Sequence, residues 1–391
     1  MTFKEILDGM DTDAVKRMAR KVPQWAGVTG IEFPTRLSVE QCSSSETALY
    51  KAALASAIFQ RKPGKATSCN NAAAKPVICD LTGGLGVDCW AFSGIASHVH
   101  HNEMDPGISA SVRRNFSSLG ISNASFSSIE ITPGRVQEAI DACGELPDII
   151  FLDPARRNGT GRKVFLLEDC SPDILTLRDE LLGTAPDILV KLSPMADITM
   201  ICRRLGPTVR EVHVVESERE CKELLVWMQR GWDRECGIIF KDLHFTLQEE
   251  SGAVPVLLES ADALKQAGAL FEPSASMLKT GCFSLACGRF GLKKLGRFTH
   301  LYSAATASDD LKAYGKLFTI KEILPFDGRS IKAAGKSWPR CEITSRNLPI
   351  SSEELRKKMG VTSGGDIHIF ACTADFTQTG SQRILMVTSR I

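Results

Sequence analysis

An α/β protein built on a doubly wound sheet is predicted for the middle of this 391-residue chain, between an N-terminal helical region and a C-terminal α+β region. Three observations predict it. Residues Val77 to Glu103 read strand, glycine turn, helix, strand, acid. Apolar strand-like runs then alternate with amphipathic helical patterns to about residue 250, as in a sheet with helices on both faces. Beyond 251, short strands and helices follow in mixed order.

Residues 1–75 read helical, with patterns over Met1 to Met18 and Glu46 to Gln60 and a linker-like stretch from Arg61 to Asn71. Ser43 and Glu46 have capping-box spacing, and a capped helix start presents free N–H groups and a partial positive charge that can hold a carboxylate. The central domain, residues 76–250, opens with the apolar run Val77-Ile78-Cys79, then Asp80 and the turn Leu81-Thr82-Gly83-Gly84-Leu85-Gly86. Glycines open backbone conformations closed to other residues and allow a ligand to approach the chain closely. Glu103, about 20 residues on at the tip of the second strand, is placed to accept hydrogen bonds from ribose hydroxyls. The pattern G-G-x-G, in place of G-x-G-x-x-G, favours a nucleotide-shaped ligand without a pyrophosphate.

Pro147 to Leu152 is a buried-strand run ending in Asp153-Pro154-Ala155-Arg156-Arg157. The carboxyl end of a central parallel strand faces the crevice where open α/β sheets bind ligands. Arg156 has two readings: a guanidinium that stacks on a base or grips a phosphate, or the partner of Asp153 in a turn-stabilising ion pair. Further strands are expected at Asp187 to Leu192 and Val212 to Glu216, then a helix over Glu218 to Gln229. Gly237-Ile-Ile-Phe and Leu243-His-Phe-Thr-Leu read as an antiparallel edge hairpin closing a seven-stranded sheet. In the C-terminal region, strands are expected at Ile320 to Phe326, Arg340 to Thr344, Ile367 to Cys372 and Arg383 to Thr388, with a helix over Ser352 to Met359.

Composition is that of a soluble globular chain, 43% apolar and 24% charged, long enough for two or three domains. No apolar run reaches the roughly 20 residues of a membrane span, and the start Met1-Thr-Phe-Lys-Glu-Ile lacks a secretory order, so a cytoplasmic protein with no membrane partner is expected. The 13 cysteines include no C-x-x-C spacing, which argues against a disulfide framework or zinc ribbon. His100 and His101 alternate across a strand, so no metal site is expected. Residues 271–340 carry twelve basic and five acidic side chains on a chain of net charge +1. Phe290, Phe298, Tyr302 and Trp338 interleave with them, a mixture suited either to a polyanion-facing surface or to a solvated face with its aromatics in the core.

Asp80-Leu-Thr-Gly-Gly-Leu-Gly-Val-Asp88 resembles motif I of the class I S-adenosylmethionine (SAM) methyltransferases, and Glu103-Met-Asp105-Pro106 resembles their acidic second-strand motif. Arg113-Arg114-Asn115-Phe116 and Leu119-Gly120-Ile121 are similar to the helix that follows. Asp153-Pro154-Ala155-Arg156 resembles the catalytic loop of nucleic-acid methyltransferases, with Ala155 in place of a second proline and Arg156 in place of a stacking aromatic, which leaves the target atom open. Asp187 to Leu192 is loosely similar to the strand carrying the nucleophilic cysteine of C5-uracil methyltransferases. The matching residue here is Leu192, so a covalent thiolate mechanism is not expected. Leu37 to Glu46 resembles a segment that covers the cofactor in cap-guanine N2 methyltransferases and related bacterial proteins. Residues 251–320 resemble a small ferredoxin-like insert, and 321–391 the THUMP-like domain of bacterial proteins in which it follows a methyltransferase.

This resemblance implies a Rossmann-like class I sheet. SAM would lie on Asp80, Gly83, Gly84, Gly86, Glu103 and Ser44, and catalysis would fall to Asp153, Pro154 and Arg156. The substrate would be a structured RNA, ribosomal or transfer, modified at a base nitrogen and held by Arg157, Lys293, Lys294 and Arg297. Two other classes stay open: a non-catalytic RNA-binding protein on a methyltransferase scaffold, and a methyltransferase acting on a protein or small molecule. The oligomeric state is left open as well.

Overall fold

A computed structural model describes residues 12–62, 74–156 and 167–391. The start of the helix expected over Met1 to Met18, most of the linker and Arg157 lie outside them. The chain divides into two compact units, one running to Ser217 together with Lys222–Ile239, the other made of Glu218–Cys221 and Phe240–Ile391.

In the first unit, helices α1 (Thr12–Lys21), α2 (Arg36–Gln41) and α3 (Ser45–Gln60) precede the sheet. Then follow β1 (Val77–Asp80), α4 (Val87–Ser93), β2 (His98–Asn102), α5 (Pro106–Ser118), β3 (Ala124–Ser127), α6 (Val136–Cys143) and β4 (Ile149–Leu152). A two-residue ladder pairs β5 (Ala155–Arg156) with β6 (Cys170–Ser171). Helix α7 (Ile174–Thr184), β7 (Asp187–Leu192), α8 (Ile198–Leu205), β8 (Val209–Ser217), β9 (Glu220–Gln229) and β10 (Gly237–Phe240) follow, and β11 (Leu243–Thr246), which falls in the second unit's segment, is the ninth strand of the sheet.

The strand order is β11-β10-β8-β9-β7-β4-β1-β2-β3. Pairing is parallel between β1 and β2, β2 and β3, β1 and β4, β4 and β7, and β8 and β10, whereas β9 runs antiparallel to β7. The chain starts at β1, moves outward to β2 and β3, and returns to the other side at β4. The reversal opens a crevice at the carboxyl ends of β1 and β4, where sheets of this kind bind ligands.

The expected class I sheet is present, as the seven strands from β3 to β8, but one of its members differs from the sequence reading. Where a helix is expected over Glu218 to Gln229, Glu220–Gln229 is a strand. Glu218 and Arg219 have φ of 53° and 64°, a left-handed pair that reverses the chain tightly after β8. Leu224 to Met228 are all fully buried, as required of a strand covered on both faces, and consecutive apolar residues of this kind carry no helical stripe. The strand antiparallel to β7 is therefore β9, and Gly237–Phe240 pairs in parallel with β8.

The second unit holds a seven-stranded sheet, β13-β14-β12-β15-β18-β17-β16. Its strands are β12 (Ala269–Pro273), β13 (Leu292–Lys294), β14 (Tyr302–Ala304), β15 (Gly315–Pro325), β16 (Glu342–Arg346), β17 (Ile367–Phe376) and β18 (Gly380–Arg390). The boundary drawn at 320/321 falls inside β15, which pairs with β12 on one side and β18 on the other. Helices α9 (Gly328–Ser337) and α10 (Ser352–Met359) place Ile331, Ala334, Leu355 and Met359 in one core with Ile343, Ile369 and Leu385. The bounds of α10 are those read from sequence, set by the Ser351/Glu354 capping box and by Gly360 at φ 71°.

Candidate cofactor and acceptor site

The turn after β1 is held from three sides. Gly83 N–H donates to Asn102 O at 2.7 Å, Gly86 N–H to Gly83 O at 2.9 Å, and Gly84 N–H to Glu103 Oε2 at 2.9 Å. A Cβ at Gly83 would lie 2.3 Å from the His101 ring, and one at Gly86 (φ 80°) 2.6 Å from Val112 Cγ1. Gly84, at φ 50°, has open space where its Cβ would stand. Two of the three glycines are thus demanded by the protein's own packing, and Gly84 is the one that faces outward.

Asp80 is 1% exposed and accepts from Thr82 N–H at 3.1 Å. Burial, then Asp88, pushes its carboxyl well above the usual carboxylate range. Asp80 thus lies beneath the turn, bonded to its backbone. His101 is kept neutral by burial, its pKa pulled down to about 4, and the expected alternation holds, since His100 instead meets Ser125 and Ser127 at 2.8 Å.

Asp153 stands on the adjacent strand end. Its N–H donates to Thr82 Oγ1 at 2.6 Å, tying the loop after β4 directly to the glycine turn. Its Oδ2 accepts from Lys191 Nζ at 2.5 Å, and Lys191 lies 4.0 Å from Glu223 Oε2. Behind this pair, fully buried Lys51 donates to Asp88 Oδ1 at 2.8 Å and Ser43 Oγ at 2.9 Å, and sits 3.0 Å from Glu223 Oε1. Burial alone would lower the Lys191 pKa, but Asp153, Glu223 and Asp88 outweigh it and raise the value. Burial likewise dominates at Glu223, which is raised, whereas at Asp88 Lys51 and Lys191 overcome burial and lower it.

Sequence reading missed Lys51, Lys191 and Glu223. A signal was there: Lys191 interrupts the otherwise apolar interior of β7, and Lys51 sits among Ala48, Ala52 and Ala55 on the face of α3 that packs inward. The expected Ser43/Glu46 capping box is not formed, because the cap falls one residue later. Ser44 is the N-cap of α3, accepting from Thr47 N–H at 3.3 Å, whereas Ser43 donates to Asp88 Oδ2 and Glu46 accepts from Ser217. Pro154 is buried beside Asp153, and the backbone of Arg156 lies in the β5–β6 ladder.

These residues fit a ribose-bearing cofactor. A carboxylate offers about four lone-pair sites. Glu103 commits Oε2 to Gly84 N–H and Oε1 to Asp105 N–H at 3.0 Å, which leaves acceptor capacity on both oxygens beside the open face of Gly84.

A crystal structure of a candidate methyltransferase from Porphyromonas gingivalis W83 is 30% identical, covers 97% of this chain and 88% of its own, and superposes with a TM-score of 0.78. The chain belongs to the class I SAM methyltransferase family that carries a THUMP-like domain. Within this chain, residues 315–389 match the family model for a THUMP domain-like region and 270–311 that for a ferredoxin-like domain. Also similar in fold are a candidate RNA methyltransferase from Pyrococcus horikoshii and a candidate methyltransferase from Streptococcus mutans in complex with SAH. The first is 12% identical, with TM-score 0.34 over 56% of this chain and 99% of that one. The second is 15% identical, with TM-score 0.28 over 40% and 89%. No curated protein matches the chain.

The basic residues expected to hold RNA in this THUMP-like methyltransferase divide. Lys294 is 3% exposed and donates to Arg297 O at 2.8 Å, which corrects its expected role as a substrate contact. Lys293 is paired with Glu259 at 2.6 Å. Arg297 is exposed.

Proposed function

We propose that this chain transfers a methyl group from SAM to a base nitrogen of a structured RNA, ribosomal or transfer. The observation that carries the reading is the 2.6 Å hydrogen bond from Asp153 N–H to Thr82 Oγ1, which fixes a candidate acceptor-side carboxylate against the turn that suits the cofactor. When bound, SAM supplies a methyl group on a cationic sulfur. Gly84, in the turn shaped by Gly83 and Gly86, takes the methionine end, Glu103 accepts from the ribose hydroxyls, and Ser44 at the start of α3 belongs to the segment that would cover the cofactor. Asp153 orients the acceptor nitrogen with Oδ1 and takes up the proton it releases, while Lys191 holds Oδ2. Pro154 stiffens the loop, and Arg156 with Arg157 contributes to phosphate or base contact.

Calorimetric titration with SAM and, in parallel, NAD tests the cofactor, with Glu103→Ala as control: selective SAM binding that weakens in the variant is the expected result. Labelled methyl transfer to ribosomal and transfer RNA tests the reaction. Asp153→Ala is expected to abolish transfer while SAM affinity stays near wild type, and equal loss of both would sink the assignment.

A further inference from the structure

The turn Gly296–Thr299 in the ferredoxin-like segment is held far more firmly than its two exposed side chains require. Thr299 N–H closes it on Gly296 O at 3.3 Å, so Arg297 and Phe298 occupy the central positions. Arg297 N–H donates to Asp375 Oδ2 at 2.9 Å, and Arg297 O accepts from the buried ammonium of Lys294 at 2.8 Å. Thr299, fully buried, donates through Oγ1 to Thr373 O and accepts from Asn347 Nδ2 at 3.4 Å. A Cβ at position 296 would lie 2.8 Å from Asp375 Oδ2, so the turn is pressed against β17.

The side chains at the tip are left over. Phe298 is 71% exposed, and among the described residues neither it nor the Arg297 side chain has a hydrogen bond, ion pair or ring contact. Glu259 is paired with Lys293, Glu272 with Arg346 at 3.2 Å, and Asp375 with the Arg297 backbone. None of these carboxylates engages the Arg297 guanidinium. Phe283 and His300 stack at 3.9 Å in the same segment, with Lys294 Nζ 5.5 Å from the Phe283 ring. Holding a lysine ammonium in the interior is costly, and here its hydrogen bond goes to the backbone that presents Arg297 and Phe298.

We propose that this turn is a nucleotide-contact point for single-stranded RNA, with an unpaired base stacked on Phe298 and the adjoining phosphate held by Arg297. Aromatic rings accept any base through its π-face, and guanidinium matches phosphate in a bidentate fork. A pre-formed tip loses little conformational freedom on binding. The inference rests on RNA being the partner, as in the function proposed above, but not on methyl transfer.

The test is fluorescence anisotropy of the full chain with a labelled mixed-sequence RNA of about 12 nucleotides, a length within single-strand site sizes, across a salt series. Phe298→Ala is expected to weaken binding about 5- to 100-fold with an unchanged salt slope, and Phe298→Trp to retain it. Arg297→Ala is expected to weaken binding and flatten the slope of log affinity against log salt by about 0.7, the value for one phosphate on a single strand. Phe298→Ala binding as tightly as wild type, or a wild-type chain that does not bind the RNA, overturns the proposal. RNA binding that depends on Phe298 in a protein without methyl transfer would instead remove the enzymatic reading and leave this one standing.

Discussion

A methyl group added at Gly83 would stand 2.3 Å from a histidine that is itself fully buried, so the substitution cannot be absorbed at the surface. Gly83→Ala is expected to destabilise the first unit by about 1–3 kcal/mol, the usual cost of overpacking, and to weaken SAM binding by distorting the turn. Adding His101→Ala to that variant should recover part of both losses, measured by urea unfolding and calorimetry. If the double variant is worse than additive, the crowding explanation is wrong. The sequence displayed the glycines but not their separate reasons, because His101, Val112 and Phe116 reach them only through the parallel pairing of β1 with β2 and the packing of α5. Lys191 was overlooked for a related reason: a lone lysine near a strand end reads as an exposed terminus until Asp153 and Glu223 are brought beside it. Lys191→Met is expected to lower kcat for RNA methylation on the order of 100-fold, the scale of a misplaced reacting group, with little change in SAM affinity. Lys191→Arg should recover part of kcat, and equal damage in both variants would point to a merely structural role.

Helix α3 shows how one element ties the N-terminal region to the sheet. Lys51 is fully buried and bridges Asp88 on α4 to Glu223 on β9. Removing one member of such a buried array leaves charges without partners, whereas removing the whole set can be nearly neutral. Lys51→Met alone is expected to cost about 3–5 kcal/mol, and adding Asp88→Asn and Glu223→Gln should return much of it. Guanidinium unfolding of the single and triple variants checks this, and an unaltered midpoint in the single variant would show that the array carries no net stability. Helix α3 itself was legible from the helical pattern over Glu46 to Gln60, and α10 from the charged helical run Ser352 to Met359. Strand β9 was not, because Glu220, Lys222 and Glu223 suggest a charged helical face. The evidence against a helix was the apolar run Leu224 to Met228, and only insertion between β7 and β8 explains why all five side chains are buried. The acceptor loop was legible as a strand end followed by Asp-Pro, but its bond to Thr82 depends on β1 and β4 being neighbours, which no local pattern reveals.

At the scale of the whole chain, both units contain histidines held neutral by burial. In the first unit His100 and His101, and in the second His300 and His368, have pKa values lowered to about 4 with burial as the leading cause. Below the ordinary histidine value near 6.5, the unfolded chain takes up protons that the folded chain refuses until about pH 4. These four histidines make the unfolded state the larger proton binder across that window, outnumbering Asp80 and Glu223, whose raised values act in the opposite direction, so stability falls as pH drops through it. A group as enclosed as His101 can contribute a slope of up to about 1.4 kcal/mol per pH unit. Carboxylates with lowered values, such as Asp88 and Glu211, act in the same direction but only as pH falls further, through the acid range where unfolded carboxylates begin to protonate. Urea unfolding at pH 7.5, 6.5, 5.5 and 5.0, read by probes in each unit, is expected to give a nearly constant midpoint between the first two conditions and a declining one thereafter, in both units. His101→Phe would also remove the bond to Gly84 O, whereas His300→Phe, stacked on the Phe283 ring in the second unit and with its buried Nδ1 without a hydrogen bond among the described residues, should flatten part of the decline in the second unit alone. A midpoint unchanged down to pH 5.0 would mean that these histidines protonate readily in the folded chain, and that their burial is not maintained in solution.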